Sequence, residues 1–338
     1  MSAVNHATGA PLSASRQSQV RYCFNTSTIR GQKIGIVEEI ELVAKAGYDG
    51  IEPWISEITD FQSDGGDLAD LKKRLDDHGL RVESAIGFAN WISDDEEERK
   101  AGLEKAKREM DLVRSIGGTH VAAPPAGATN KEDMDLFSIA RRYHDLLEVG
   151  REVGVIPQLE LWGFSKTLSR LGELVFIASE SDHPDACVLP DVYHIYKGGS
   201  GFDGLALIAG QAMHAFHMND YPDMPRDKIN DADRVYPGDG VAPLNKILQT
   251  LMKNGFQGAL SLELFNRTYW EQPAAEVVNT GLEKMKASVA AAQEMPVELS
   301  VNPSQSKSRV LALSGNKRSG PGFFSLVHRS GFWGSDFC

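Results

Sequence analysis

Asn254-Gly255-Phe256-Gln257-Gly258-Ala259-Leu260-Ser261-Leu262-Glu263-Leu264 reads as a turn that delivers the chain into a short strand. The paired glycines stop a preceding helix, and the alternation that follows puts leucines on one face and Ser261 and Glu263 on the other, by the period of two. The leucine face suits packing against helices, so the polar face points inward. A carboxylate flanked by leucines then needs a partner.

Gln158-Leu159-Glu160-Leu161 repeats the device about a hundred residues earlier, with Glu160 and Gln158 sharing one face. Working outward from these two, short apolar segments alternate with stretches of helical period, the pattern of repeated βα units and a parallel sheet. Eight strands are expected, at residues 21–25, 49–52, 81–85, 120–123, 156–161, 186–191, 214–218 and 259–264. Between the first two, apolar Ile36, Ile40, Val43 and Ala46 make one helical face, and Gly47-Tyr48-Asp49-Gly50 stops that helix and turns the chain. The fold class expected is α/β, a single (β/α)8 TIM barrel over residues 20–294, within a chain of 338. Such barrels run to about 250 residues as one unit. Residues 1–19 read as a disordered polar leader, and residues 295–338, rich in Pro, Ser, Gly and Lys/Arg, as a disordered tail.

Composition narrows the function. Hydrophobic residues at 41% and charged residues at 24% are those of a folded globular enzyme. A net charge of -12 argues against a nucleic-acid partner, which is ordinarily met by a basic face. No run of about 18 apolar residues predicts a membrane span, and the polar leader has no apolar signal region. The cysteines Cys23, Cys187 and Cys338 are odd in number and scattered, which suggests no disulfide framework and fits a reducing cytoplasm.

In a parallel barrel the side chains able to meet lie at the C-terminal ends of the strands. Glu160, Asp191, His217 and Glu263 all fall there. Three buried carboxylates without a cation would cost several kcal/mol each, so one divalent metal ion on these four residues is the simplest expectation. Hard oxygens with one nitrogen suit Mn²⁺ first, with Mg²⁺, Co²⁺ or Zn²⁺ as the other choices. Any one of the four alone would read as an ordinary structural polar group.

The runs Leu159-Glu160, Asp191-Val192-Tyr193-His194, His217-Met218-Asn219-Asp220, Arg234-Val235-Tyr236-Pro237-Gly238-Asp239-Gly240 and Leu262-Glu263 resemble the xylose-isomerase-like barrels. That family includes tagatose/psicose 3-epimerases, inosose isomerases and dehydratases, 3-dehydroshikimate dehydratases and endonuclease IV. The resemblance covers residues 21–291 and implies the same metal ligands. It further implies that Glu160 and Glu263 are catalytic, exchanging protons with a substrate carbon from opposite sides of a bound sugar while the metal polarises its oxygens. A proton α to a carbonyl becomes removable when a cation stabilises the enediolate, and a second carboxylic acid can return one.

His194 and Arg234 match family positions that contact substrate oxygens; a structural hydrogen bond for His194 and a loop ion pair of Arg234 with Asp231 or Asp233 are the plainer alternatives. Glu52, before Pro53-Trp54, reads as a substrate contact or as a group that orients a metal ligand. Trp54, Trp91 and Trp162 follow strands two, three and five, where they either stack on a sugar's C–H face or fill the barrel mouth. Tyr193 and Tyr196 add hydroxyls nearby, and Lys197-Gly198-Gly199 is too weak a signal for a phosphate loop.

The chain departs from endonuclease IV, which uses extra histidines for three zinc ions. Ala232-Asp233-Arg234 stands where that enzyme has Asp-x-His, and strands three and four end in Ile86-Gly87-Phe88 and Ala122-Ala123-Pro124. The expectation is therefore one metal ion and a small sugar or polyol, handled by an isomerase or epimerase of a keto sugar or inosose. A dehydratase of inosose or 3-dehydroshikimate type ranks second and a non-catalytic sugar-binding barrel third. Homo-oligomerisation is left open.

Overall fold

The strands are short because each serves only as a stave. In the computed structural model, which describes residues 20–294, they are β1 (Arg21–Asn25), β2 (Gly50–Glu52), β3 (Arg81–Val82), β4 (His120–Ala123), β5 (Ile156–Glu160), β6 (Val188–Leu189), β7 (Ala215–Met218) and β8 (Ala259–Leu262). Helices α1 (Ile36–Ala46), α2 (Ile55–Ser63), α3 (Leu68–His78), α4 (Glu96–Ser115), α5 (Leu136–Val153), α6 (Leu171–Glu180), α7 (Val192–Lys197), α8 (Leu244–Lys253), α9 (Arg267–Trp270) and α10 (Ala274–Glu294) lie between and after them. The leader and tail expected at 1–19 and 295–338 lie outside the described residues.

All strand pairs are parallel, ordered β3-β2-β1-β8-β7 in one arc and β4-β5-β6 in the other. Single backbone bonds close the two seams. Ala122 N–H donates to Ala85 O at 2.8 Å, and His217 N–H donates to Pro190 O at 3.0 Å. The result is a TIM barrel.

β3 and β6 are shorter than the expected 81–85 and 186–191. Proline explains both. Ile86 N–H reaches Pro53 O at 3.0 Å, but Pro53 has no N–H to return to that strand, and Pro190 interrupts β6 in the same way.

The helix signals act as read. Ile36, Ile40 and Val43 are buried, and Gly47 ends α1 with φ 90°, a left-handed conformation that suits glycine. Leu260, Leu262 and Leu264 are wholly buried in the layer between strands and helices. Each such side chain contributes about 1.5–3 kcal/mol of burial free energy.

The barrel's inside differs. Its apolar filling is a separate small cluster of Ile86, Ala122, Leu189 and Ala215. Beside it Gln158 donates to Ser84 Oγ at 3.0 Å and accepts from Ala215 N–H at 3.2 Å, so the inward polar face of β5 is satisfied by the neighbouring staves. Two residues further on, the same face carries Glu160.

Candidate active site

The strand ends bring the acidic and imidazole side chains to one place. Glu160 ends β5, His217 lies on β7, Glu263 follows β8, and Asp191 follows β6, where its Oδ1 accepts from His194 N–H at 2.7 Å and caps α7. His217 and Asp191 are fully buried, and Glu160 and Glu263 nearly so. His217 Nδ1 lies 3.2 Å from Glu263 Oε2, 3.6 Å from Glu160 Oε1 and 3.7 Å from Asp191 Oδ2, yet forms no aligned hydrogen bond with any of them. Among the described residues, Glu160, His217 and Glu263 each offer a ligand atom within 4.8 Å of the others. Asp191 stands at the edge of that trio.

The far side of His217 is held by Glu52. Its Oε2 lies 3.0 Å from Nε2 and also accepts from Ser261 Oγ at 2.6 Å and Asn25 Nδ2 at 2.9 Å. Glu52 is fully buried and does not line the cavity above the cluster. A ring bonded through Nε2 turns Nδ1 toward the carboxylates, the usual way a carboxylate presents a histidine to a metal.

Arg234 is no exposed loop residue. It is buried at 1% exposure, and Nη1 donates to Glu263 Oε2 at 2.8 Å and to Asp191 Oδ2 at 3.1 Å, while Nη2 donates to Asp231. Asn219 Nδ2 adds a bond to Asp191 Oδ2 at 2.9 Å. The cation demanded by the carboxylates is thus met in part by this guanidinium, a compensation the sequence reading had assigned wholly to a metal. Glu160 is left without it.

The charge states follow from this layout. Burial raises Glu160 well above the usual carboxylate range, with Glu263 and Asp191 adding to the rise against the pull of His217. Burial acts on Glu263 in the same sense, but His217 and Arg234 outweigh it and hold that carboxyl below its usual range. Burial opposes protonation of His217, and Glu263 and Glu52 overcome it. Burial and Arg234 push His194 down to about 3, which leaves its ring neutral, with Arg234 Nη2 3.1 Å from Nε2 and Gly163 N–H donating to Nδ1 at 3.3 Å. Gly163 can come that close because a Cβ there would strike the His194 carbonyl.

Above the cluster opens a cavity of about 220 Å³, lined by Glu160, Glu263, His194 and Arg234 at its floor and by aromatic rings on its walls. Trp54 and Trp162 stand on the wall, as the sequence reading allowed. Trp91 does not: it is 1% exposed, packs on Tyr143 and donates from Nε1 to Pro124 O at 2.8 Å. Tyr196 donates to Met224 O, and the Tyr193 ring lies against the Arg234 guanidinium at 4.4 Å. Phe88, Phe164 and Phe265 complete the wall and were missed. Their signal was position, each falling a few residues past a strand end.

A larger cavity, about 740 Å³, opens among Arg21, Glu83, His120 and His214 at the strands' N-terminal ends. Its charges are mutually paired, Arg21 with Glu83 at 2.6 Å, and barrel enzymes carry their chemistry at the other end. Among the described residues no helix is long and apolar enough to cross a membrane.

Fold and site together define a (β/α)8 barrel with a carboxylate–imidazole cluster at its C-terminal mouth. The chain belongs to the xylose isomerase-like TIM barrel family, whose model matches residues 40–288. It is 26% identical over 275 residues to inosose isomerase of Bacillus velezensis, covering 80% of this chain and 98% of that one. It is 25% identical over 257 residues to 3-dehydroshikimate dehydratase of Pseudomonas aeruginosa, covering 73% of this chain but 39% of that one. The crystal structure of IOLI protein with a binding zinc atom superposes with a TM-score of 0.75 at 23% identity, over 82% of this chain and 100% of that one.

Proposed function

We propose that this protein is a divalent-metal-dependent isomerase or epimerase of a keto sugar or inosose. The observation that carries the reading is the buried His217 Nδ1, without a hydrogen-bond partner and facing oxygens of Glu160, Glu263 and Asp191. An orphaned imidazole nitrogen among carboxylate oxygens is a donor set for one hard or borderline divalent ion. Glu160, His217 and Glu263 would hold it, with Asp191 as the fourth ligand beside Arg234. Mn²⁺ remains the first candidate, and the similarity to a zinc-holding barrel keeps Zn²⁺ in the set. When bound, the ion would polarise the substrate carbonyl and ease loss of the α proton.

The residues then divide the work. Glu263, bonded by Arg234, would take a proton from the carbon next to the carbonyl, and Glu160, which Arg234 does not touch, would return one. Return to the same carbon from the other face gives the epimer; return to the neighbouring carbon gives the isomer. His194 and Arg234, at the cavity floor, would orient substrate oxygens, with Trp54 and Trp162 against its C–H faces.

The inosose isomerase similarity, which spans nearly the whole of that relative, supports this reaction class. A dehydratase is the second reading, favoured by the 3-dehydroshikimate dehydratase similarity. It would begin with the same proton abstraction and end with loss of a hydroxyl. Incubation of Mn²⁺-loaded protein with inososes, ketoses and 3-dehydroshikimate in D₂O separates the cases. Deuterium at the α carbon of an isomeric product supports the proposal, an enone absorbance supports the dehydratase, and neither with any substrate means a sugar-binding barrel.

A further inference from the structure

The rings of the cavity wall form one continuous belt. Phe265 meets Trp54 at 6.1 Å between centroids, Trp54 meets Phe88 at 5.0 Å, Phe88 meets Trp162 at 5.8 Å, and Trp162 stacks on Phe164 at 5.2 Å. Phe164 closes on His194 at 5.6 Å, so the belt ends on the floor of the same cavity. Trp54 Nε1 donates to Asn25 Oδ1 at 3.2 Å. Phe164 remains 43% exposed, and Trp54, Phe88, Trp162 and Phe265 are only partly covered.

A free hexose carries hydroxyls around its whole rim. Seated here, its oxygens could bond to the floor, but those turned toward Phe88, Phe164 and Phe265 would face rings that return no hydrogen bond, and a desolvated hydroxyl without a partner is costly. One stacked ring fits a sugar's C–H face. Five edge-linked rings fit a larger apolar body.

We infer that the substrate is a keto sugar or keto cyclitol bearing an aryl or other apolar substituent, held by the Trp54–Phe88–Trp162–Phe164–Phe265 belt. The inference rests on the keto-sugar reading above for the reacting end and on the belt for the rest. Arg30, stacked on Trp54 with its guanidinium carbon 3.4 Å from the ring centroid, fixes that side of the belt.

Calorimetric binding to the Mn²⁺-loaded full chain tests the belt without requiring turnover. Phenyl β-D-glucopyranoside is expected to bind about tenfold more tightly than methyl β-D-glucopyranoside. Phe164→Ala, which removes a half-exposed ring, is expected to cut the phenyl preference about threefold or more. Equal phenyl and methyl affinities, or a preference untouched by both Phe164→Ala and Trp162→Ala, would overturn it. Phenyl affinity that falls as protein concentration rises would mean a second copy of the chain sits on the belt, and also overturns it. The reaction is read separately: a phenyl preference with no α-proton exchange on any ketone contradicts the isomerase reading and supports the belt, whereas exchange with no phenyl preference does the reverse.

Discussion

Glu52 Oε2 lies 3.0 Å from His217 Nε2, deep below the cavity, and so fixes which ring nitrogen faces Glu160 and Glu263. If this bond presents the imidazole to a metal, then Glu52→Ala weakens Mn²⁺ binding by about 10- to 100-fold although Glu52 never touches the ion. Titration of chelator-stripped protein with Mn²⁺ checks it. An unchanged affinity would remove Glu52 from the site.

Arg234 stands between Asp191 and Glu263. Removing a buried partner strands the remaining charges, so Arg234→Ala in metal-free protein is expected to lose about 3–5 kcal/mol of unfolding free energy. Saturating Mn²⁺ should restore part of it, because the ion neutralises the same carboxylates. Urea unfolding with and without Mn²⁺ measures both, and a variant as stable as the parent in chelator contradicts the pairing.

Metal should stabilise the parent by mass action, about 2.7 kcal/mol at a free concentration one hundred times the dissociation constant. His217→Ala removes the orphaned nitrogen and should abolish that gain. Thermal melts across a Mn²⁺ series read this directly, and an equal stabilisation of the variant would place the ion elsewhere.

Glu39 gives a pH test away from the site. Buried on α1, with Oε2 unpaired, it is raised to about 9 by burial and by Glu57, against the pull of Arg30. The folded state therefore holds this proton more tightly than the unfolded chain, and stability present below about pH 4.5 drains away as pH rises toward about 9. Glu39→Gln lacks that loss, so its advantage over the parent should widen across this range, reaching about 1–3 kcal/mol. Unfolding curves of the two proteins at pH 5 and pH 9 decide it; a constant difference means the carboxyl does not titrate in the fold.

The barrel was readable because its signals are local. Leu262 and Glu263 alternate at one strand end and Leu159 and Glu160 at another, and Gly47 stops α1 with the backbone only glycine takes easily. The four acidic and imidazole residues could be named because a parallel barrel brings strand ends together whatever lies between them. What escaped depends on three dimensions. Nothing in the neighbourhood of Arg234 says it turns inward to Glu263, 29 residues away, as well as bonding Asp231. The bond from Glu52 to His217 spans 165 residues and needed the register of β2 and β7 around the barrel. Trp91 follows a strand as Trp54 does, yet turns into the helix layer beside Tyr143, a choice set by packing. Phe88, Phe164 and Phe265 lie far apart in sequence, and only the fold brings their rings together with Trp54 and Trp162.

Glu160 and Glu263 are the pair proposed to exchange protons with one bound ketone. The direct measurement is α-carbon deuterium incorporation from D₂O into an inosose or ketose turned over by the Mn²⁺-loaded protein, compared among parent, Glu160→Gln and Glu263→Gln. Each variant, still folded and still closed by Arg234 and Glu52, is predicted to slow incorporation by about 10²- to 10⁴-fold, the usual worth of a positioned acid or base. Incorporation at the parental rate in either variant would contradict the two-glutamate mechanism.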